Sequence, residues 1–411
     1  MLPPVLELYV LWHPDDPAGA EIAGQVEEHF QGDAFTGLIG GAVEVFVRSR
    51  GWRGGDDVPR PIPLPAAVPP GDPAPATFVA VVPVLGPGLA LACQRADGPW
   101  HRYLTTLVDG CRADPAHVGV YPMVLTEAAV HRTRLGALLD GHQRLDVAGP
   151  AGETVVERRG RELSQALAQL LRGTGGRALT VFVSHSRRAD PEDQERASRL
   201  VGRVRELIAD TRLDQFFDAH SIQAGSDWAR VLRDNARRCA LLAVRGDHYS
   251  GRKWCQEEVR LAKCAGVPIV VLDDLRRGDD RGSFLMDHVP RVRVHGDRPD
   301  DGIRRGLRKL VDECLSRALW EQQRRVAHRH RPDLRVDWWA PRSPEPTTFV
   351  DWLHRARPAG GQPPGGTVRI LHPDPPLGPQ ERLVLDQLAR AAGYADGVDV
   401  LTPRLLAARA G

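Results

Sequence analysis

The sequence predicts an α/β protein built on mostly parallel sheets, and three observations favour this class. Short apolar and β-branched runs alternate with segments of helical periodicity along residues 1–330. This alternation is typical of strands joined by crossover helices. Hydrophobic residues make up 42% and charged residues 26% of the chain, as in globular domains with a buried core. Changes in glycine and proline content divide the chain into residues 1–150, 151–177, 178–330, 331–366 and 367–411.

Composition excludes several classes of function. A net charge of +2 over 411 residues gives no reason to expect direct nucleic-acid binding. The longest apolar stretch, residues 78–92, is shorter than the roughly 20 residues of a membrane helix and is interrupted by proline and glycine. We therefore expect no membrane partner, and the N-terminus shows no signal-peptide pattern. The six cysteines show no metal-ligand spacing, so we expect no metal and a cytoplasmic location.

The first segment is predicted to form a doubly wound α/β domain. Its expected strands are residues 6–12, 43–47, 78–85 and 118–125, and its expected helices are residues 20–30 and 100–111. His13, Asp15 and Asp16 follow the first strand, where we interpret them as a turn rather than a metal site. We expect this domain to sense, regulate or oligomerise. Residues 155–171 form a helical linker to the next segment.

The middle segment, residues 178–330, repeats the alternation more regularly. Its expected strands are residues 179–184, 215–218, 240–244, 268–273 and 292–294. Helices are predicted between them at residues 192–208, 228–238 and 254–265, and a long helix follows at 300–328. The sequence therefore predicts a five-stranded parallel sheet here.

The end of the chain differs in composition. Residues 331–366 are rich in proline, tryptophan and glycine and are expected to be a linker. Residues 367–411 show a strand, a helix and a strand. A βαβ piece of this size does not bury a sheet on both faces. We therefore expect it to pack against the body, another subunit or a partner.

Candidate chemistry lies at one end of the predicted sheet of residues 178–330. Trp254 and Glu258 are four residues apart on a predicted helix, so they share one face. Glu257 points about 100° away. Residues 184–187 leave the first strand of the sheet at its carboxyl end, where open parallel sheets bind ligands.

Three motifs in this order resemble a bacterial TIR (Toll/interleukin-1 receptor) domain of the NAD-cleaving type. They are VFVSHS at 181–186, FFDAHSIQAGSDW at 216–228, and the WCxxE pattern within 241–273. The resemblance covers residues 178–318, one third of the chain. It implies a flavodoxin-like five-stranded sheet, and the first segment resembles a degenerate TIR-like domain that lacks these motifs.

The resemblance implies NAD⁺ as substrate, with no separate cofactor, and Glu258 as the essential carboxylate. One carboxylate suffices because the nicotinamide ring of NAD⁺ is already cationic and needs no general acid to leave, while the ribose becomes oxocarbenium-like and needs a negative charge nearby. Matching the family's motif position by position adds these expected site residues around the nucleotide: Ser184, His185, Ser186, Arg187, Asp218, Trp228 and Trp254.

The first functional hypothesis is an NAD⁺ nucleosidase of bacterial anti-phage immunity, switched on by self-association of TIR domains and by a sensor protein. Attack by water and attack by the substrate's own adenine, which gives a cyclic product, both remain open. The alternative is a non-catalytic adaptor that mediates protein–protein interaction, and a third hypothesis is a sensor that binds NAD⁺ without turnover. In these, Glu258 caps or salt-bridges its helix, and Trp254 and Trp228 are core residues. Cys255 is disfavoured as a nucleophile because its face is apolar.

Overall fold

A computed structural model describes residues 3–32, 34–35, 43–52, 58–65, 76–145, 152–173, 178–186, 191–216, 239–279, 282–294, 296–356 and 366–410. The chain divides into two compact units, one within residues 1–177 and one within residues 178–411. Over the described ranges, no helix is long and apolar enough to cross a membrane.

The first unit contains a sheet in which every paired strand is parallel. Its spatial order is β2-β1-β3-β4, and β5 also pairs with β3. The strands are β1 (Leu6–Leu11), β2 (Glu44–Arg48), β3 (Phe78–Leu85), β4 (Val118–Val120) and β5 (Met123–Val124). All of β3 is buried, as expected for a central strand covered on both faces.

Helices α1 (Ala18–Gln31), α3 (Pro99–Ala113) and α5 (Val155–Arg172) of this unit lie where periodicity predicted them. Two short helices, α2 (Pro87–Ala92) and α4 (Arg134–Leu138), were not predicted. A proline in the first turn opens α2, where the missing N–H costs no hydrogen bond.

The strand predicted at 118–125 is divided into β4 and β5. Both pieces pair with β3 in one register, which places Pro122 opposite Pro83. Neither proline has an N–H to donate, so the ladder is interrupted at that level.

The second unit contains the predicted five-stranded parallel sheet. Its order is β10-β9-β8-β6-β7, which is 2-1-3-4-5 read from β7, the doubly wound order of flavodoxin-like domains. The strands are β6 (Thr180–His185), β7 (Asp214–Phe216), β8 (Cys239–Arg245), β9 (Ile269–Asp273) and β10 (Arg291–Arg293). This confirms the fold class expected from the sequence.

Three helices of this domain are described, namely α6 (Pro191–Ala209), α7 (Lys253–Cys264) and α8 (Pro299–His330). The helix predicted at 228–238 lies outside the described residues. Arg203 on α6 forms a bidentate pair with Asp300 at the start of α8, with nitrogen–oxygen distances of 2.8 and 2.6 Å. This pair joins the two helices at their polar edge.

The end of the chain is part of the second unit. Its elements are β11 (Trp338–Trp339), α9 (Pro346–Ala356), β12 (Val368–Leu371), α10 (Pro379–Ala391), β13 (Val398–Leu401) and α11 (Pro403–Ala410). The three strands form a parallel sheet in the order β11-β12-β13.

The segment 331–366, expected to be a linker, instead supplies β11 and α9. Pro346 begins α9, and the carboxylate of Glu345 accepts hydrogen bonds from the amides of Thr347 and Thr348 at 3.2 and 3.3 Å. An acidic cap followed by a proline is typical of a helix start, although a proline-rich composition alone suggests an irregular segment. Helix α9 packs against α7.

Candidate active site at the carboxyl edge of the second sheet

Helix α7 places one carboxylate inside the domain and leaves its neighbour outside. Cys255, Glu258 and Val259 lie on the buried face of α7, and Glu258 is only 3% exposed. Glu257 is half-exposed and forms an ion pair with Arg260 at 2.6 Å. Burial of a single acid in a helix that otherwise buries apolar residues requires a polar partner.

Ser184 supplies that partner from the end of β6. Its hydroxyl donates to Glu258 Oε2, and its Oγ lies 2.6 Å from the phenol oxygen of Tyr249. A serine hydroxyl has one proton. Because that proton goes to the carboxylate, the phenol of Tyr249 donates to Ser184. The three side chains form a directed chain that ends on Glu258.

Tyr249 lies between β8 and α7 and is fully buried. Burial raises the pKa of its phenol well above the ordinary value, the nearby Cys255 and Glu258 raise it further, and the hydrogen bond with Ser184 opposes the rise. The phenol therefore keeps its proton and acts as a donor. Tyr249 was not among the site residues expected from the sequence. The sequence did contain one indication, namely a tyrosine in the loop that follows a predicted strand at the carboxyl edge of the sheet.

Cys255 remains a thiol in this environment. Burial, with a smaller contribution from Glu258, raises the pKa of Cys255 to about 12. Its Sγ donates to the carbonyl of His185 at 3.8 Å, a weak contact. A nucleophilic thiolate at neutral pH is therefore excluded, in agreement with the apolar face expected from the sequence.

Trp254 packs against the apolar cluster under α7 and is partly buried. Its indole nitrogen Nε1 is buried, and it has no hydrogen-bond partner among the residues that the structure describes. A buried indole N–H usually finds an acceptor. Trp254 therefore combines a packing role with an unused donor at the start of α7.

An ion network holds the ends of β8 and β9 next to this group. Arg245 contacts Asp273 at 3.3 Å and Asp279 at 2.7 Å, and Ser250 also donates to Asp279. Burial alone would raise the pKa of Asp279, but the hydrogen bonds from Ser250 and Arg245 outweigh it and lower that pKa. The network fixes the β8–α7 connection that carries Tyr249.

The structure places part of the expected site. Ser184 contacts Glu258 directly, His185 contributes its carbonyl to Cys255, and Ser186 is buried immediately after β6. The remaining expected residues lie outside the described part of the chain, and they are Arg187, Asp218 and Trp228.

At the corresponding edge of the first unit, the side chain of Asp16 occupies the backbone amides that begin α2. Both oxygens of Asp16 accept hydrogen bonds from the start of α2, at 2.8 Å from the amide of Gly88 and 2.9 Å from that of Leu89. His13 and Asp15 contact each other across the turn. These are the contacts of a structural turn, as expected. Within the described ranges, no group of three or more His, Cys, Asp or Glu side chains is arranged to hold a metal.

A doubly wound parallel sheet with polar side chains at its carboxyl edge defines the class of domain, namely a flavodoxin-like α/β domain. Residues 181–308 match the family model of the TIR domain, so this part of the chain is a TIR domain. No curated protein matches the chain. The TIR family contains signalling proteins and enzymes that cleave NAD⁺.

Proposed function

We propose that this protein cleaves NAD⁺ between nicotinamide and ribose, with Glu258 as the essential carboxylate. One observation supports this most directly. Glu258 is buried beside the carboxyl end of β6, and Ser184 and Tyr249 orient it through a directed chain of hydrogen bonds. A helix cap or a surface ion pair needs no such arrangement, as the neighbouring Glu257 illustrates.

In the proposed reaction, the bond between C1′ of the ribose and the pyridinium nitrogen breaks. The electron pair goes to nicotinamide, which leaves as a neutral molecule, and positive charge develops on C1′ and the ring oxygen. The Glu258 carboxylate stabilises this charge and holds the ribose hydroxyls. Water then adds to C1′ and releases one proton, which gives ADP-ribose. Attack by a ring nitrogen of the substrate's adenine follows the same first step and gives a cyclic product.

The remaining parts of the site are proposed to bind the nucleotide. Ser184, His185 and Ser186 border it, and Arg187 pairs with a phosphate through its forked donors. Asp218 and Trp228 frame the adjoining loop. Trp254 walls the pocket, where its buried indole N–H is available as a donor. We further propose that TIR domains self-associate to complete the site, under control of a sensor protein in cytoplasmic anti-phage immunity.

Substitution of Glu258 is the direct test. The change Glu258→Gln keeps the shape and the hydrogen bond from Ser184 but removes the charge, so NAD⁺ cleavage should fall about 10²–10³-fold. Nicotinamide release is followed by chromatography at high concentrations of the full chain. The matched control is Glu257→Gln on the same helix, which should keep wild-type activity because Glu257 is half-exposed and faces Arg260.

Cleavage by Glu258→Gln at the wild-type rate would refute the proposal. Absence of turnover in the wild type under all assembly conditions, together with binding of a protein partner, would favour the adaptor hypothesis. NAD⁺ binding without nicotinamide release would favour the non-catalytic sensor. Circular dichroism of each variant separates loss of activity from loss of fold.

A further inference from the structure

A cavity in the second unit lies between the TIR domain and the final segment of the chain. It has a volume of about 350 Å³, within the range of small-molecule sites. Its walls are the end of α7, the start of β9, one face of α8, and the β11–α9 region.

This cavity is separate from the candidate active site. Residues 263–269 line it at the amino end of β9, whereas Ser184 lies at the carboxyl end of β6. Strands β6, β8 and β9 are parallel, so these are opposite edges of the sheet. Helix α7 connects the two regions, and its rise places Glu258 and Cys264 about 9 Å apart along its axis.

Cationic side chains outnumber carboxylates in the lining. Five cations and two carboxylates line the cavity. Three of the cations are paired with carboxylates, namely Lys263 with Glu345, Arg342 with Glu313 and Arg355 with Asp351. Glu345 caps α9 and contacts Lys263 at 3.6 Å, and Asp337 accepts from the amide of Arg369 at 2.8 Å. The cationic residues are Lys263, Arg317, Arg324, Arg342 and Arg355.

Two of these cations donate to backbone carbonyls. Arg317 donates to Gly266 at 3.2 Å and Arg355 donates to Cys264 at 3.4 Å. Arg317, Arg324 and His328 also recur at helical spacing on one face of α8. The two guanidinium groups on this face, those of Arg317 and Arg324, present forked donors that match the geometry of phosphate oxygens.

Aromatic side chains form the other part of the lining. Trp338 stacks on Trp352 with ring centroids 5.6 Å apart and planes at 16°. Both rings are partly exposed, whereas the third tryptophan, Trp339, is buried against Trp320 and His328. A partly exposed indole beside guanidinium groups provides a flat surface for a base.

We infer that this cavity is a binding site for a nucleotide, with the phosphate on the arginines of α8 and the base against Trp338 and Trp352. Arg317 and Arg324 would bind the anionic phosphate, and the Trp338–Trp352 pair would contact the aromatic base. The inference does not depend on catalysis at Glu258, because its test is binding alone.

Calorimetric titration of the full chain with 5′-AMP tests the site. We expect a Kd below about 1 mM. Adenosine and inorganic phosphate, which each lack one half of the ligand, should bind at least about tenfold more weakly, since charged hydrogen bonds and base stacking both contribute. Arg324→Gln, at an exposed position that should tolerate the change, should weaken AMP binding about tenfold.

Two further variants make the test specific. Arg329→Gln removes the same charge from the same helix end at an exposed position outside the lining, and should leave AMP affinity within about twofold. Trp352→Leu should weaken AMP about tenfold while leaving phosphate unchanged. Failure of AMP to bind, equal affinity for AMP and phosphate, or AMP affinity that Arg324→Gln leaves unchanged would each overturn the inference. An AMP affinity that Arg324→Gln leaves unchanged would indicate that AMP binds elsewhere, for example near Glu258.

Discussion

Ser184 is the residue on which the geometry of the candidate site depends. Its single proton goes to Glu258, and its oxygen accepts a hydrogen bond from Tyr249. The direction of each hydrogen bond therefore depends on the other. The raised pKa of Tyr249 keeps the donor protonated. Removal of either hydroxyl therefore leaves a buried polar atom short of a partner, which costs more than the net gain of one hydrogen bond.

This coupling predicts a double-mutant cycle. Tyr249→Phe should lower the free energy of unfolding by about 1 kcal/mol, and Ser184→Ala by about 2 kcal/mol, because the latter strips a buried carboxylate of its donor. The double variant should lose about 1 kcal/mol less than the sum of the two. Urea unfolding followed by tryptophan fluorescence measures all four proteins. Strictly additive losses would contradict the directed chain.

Residue spacing was sufficient to place Glu258 on the inner face of a helix and Glu257 on the outer face, because helical period fixes direction. Tyr249 could not be placed in this way. It lies in a turn, where side-chain direction follows no period, and its partner Ser184 is 65 positions away in the chain. The contact depends on β6 and β8 being neighbours in the sheet.

At the scale of elements, apolar runs predicted the strands, and two of the errors occurred at prolines. Pro122 interrupts a run that composition reads as one strand, because it faces Pro83 across the ladder. Pro346 has the opposite effect and begins α9. The same residue type ends one element and starts another, and only the pairing of the neighbouring backbone distinguishes the two cases.

Helix α8 approaches the sheet closely at Gly302. A Cβ added there would lie 2.8 Å from the carbonyl oxygen of Arg293 and 3.0 Å from Cα of Val294, both backbone atoms that do not yield easily. Gly302→Ala should therefore lower the free energy of unfolding by about 1–2 kcal/mol, since overpacking exceeds the gain in helix propensity. Chemical denaturation measures the change.

Gly202 in α6 is the matched control. A Cβ there meets nothing within 4 Å, so Gly202→Ala should raise the free energy of unfolding by about 0.5–1 kcal/mol. Equal stabilisation by both alanine substitutions would show that α8 does not approach the end of β10 as closely as described.

At the scale of the whole molecule, the two units share a pattern of strands. The first four strands of each sheet follow the order 2-1-3-4, and all pairs are parallel. Among the residues that the structure describes, the helices that follow β3 in the first unit, α2 and α3, bury no acid, whereas α7 in the second unit buries Glu258. A shared strand order therefore does not by itself imply a shared function.

The proposed self-association concerns the full chain and predicts how activity depends on concentration. If a neighbouring TIR domain completes the site, the rate of NAD⁺ cleavage per mole of protein should rise with protein concentration, by about tenfold or more across the association range. Light scattering under the same conditions measures the assembly. A specific activity that stays constant while the protein passes from monomer to oligomer would show that each site is complete by itself.

In the first unit, the carboxylate of Asp16 takes the position that an anion could occupy at the start of α2. The amides at the start of α2 would otherwise attract a passing anion, but a covalently tethered carboxylate already satisfies them at 2.8 and 2.9 Å. An external phosphate would have to compete with a group whose effective concentration is very high. A small anion is therefore not expected to bind at the start of α2.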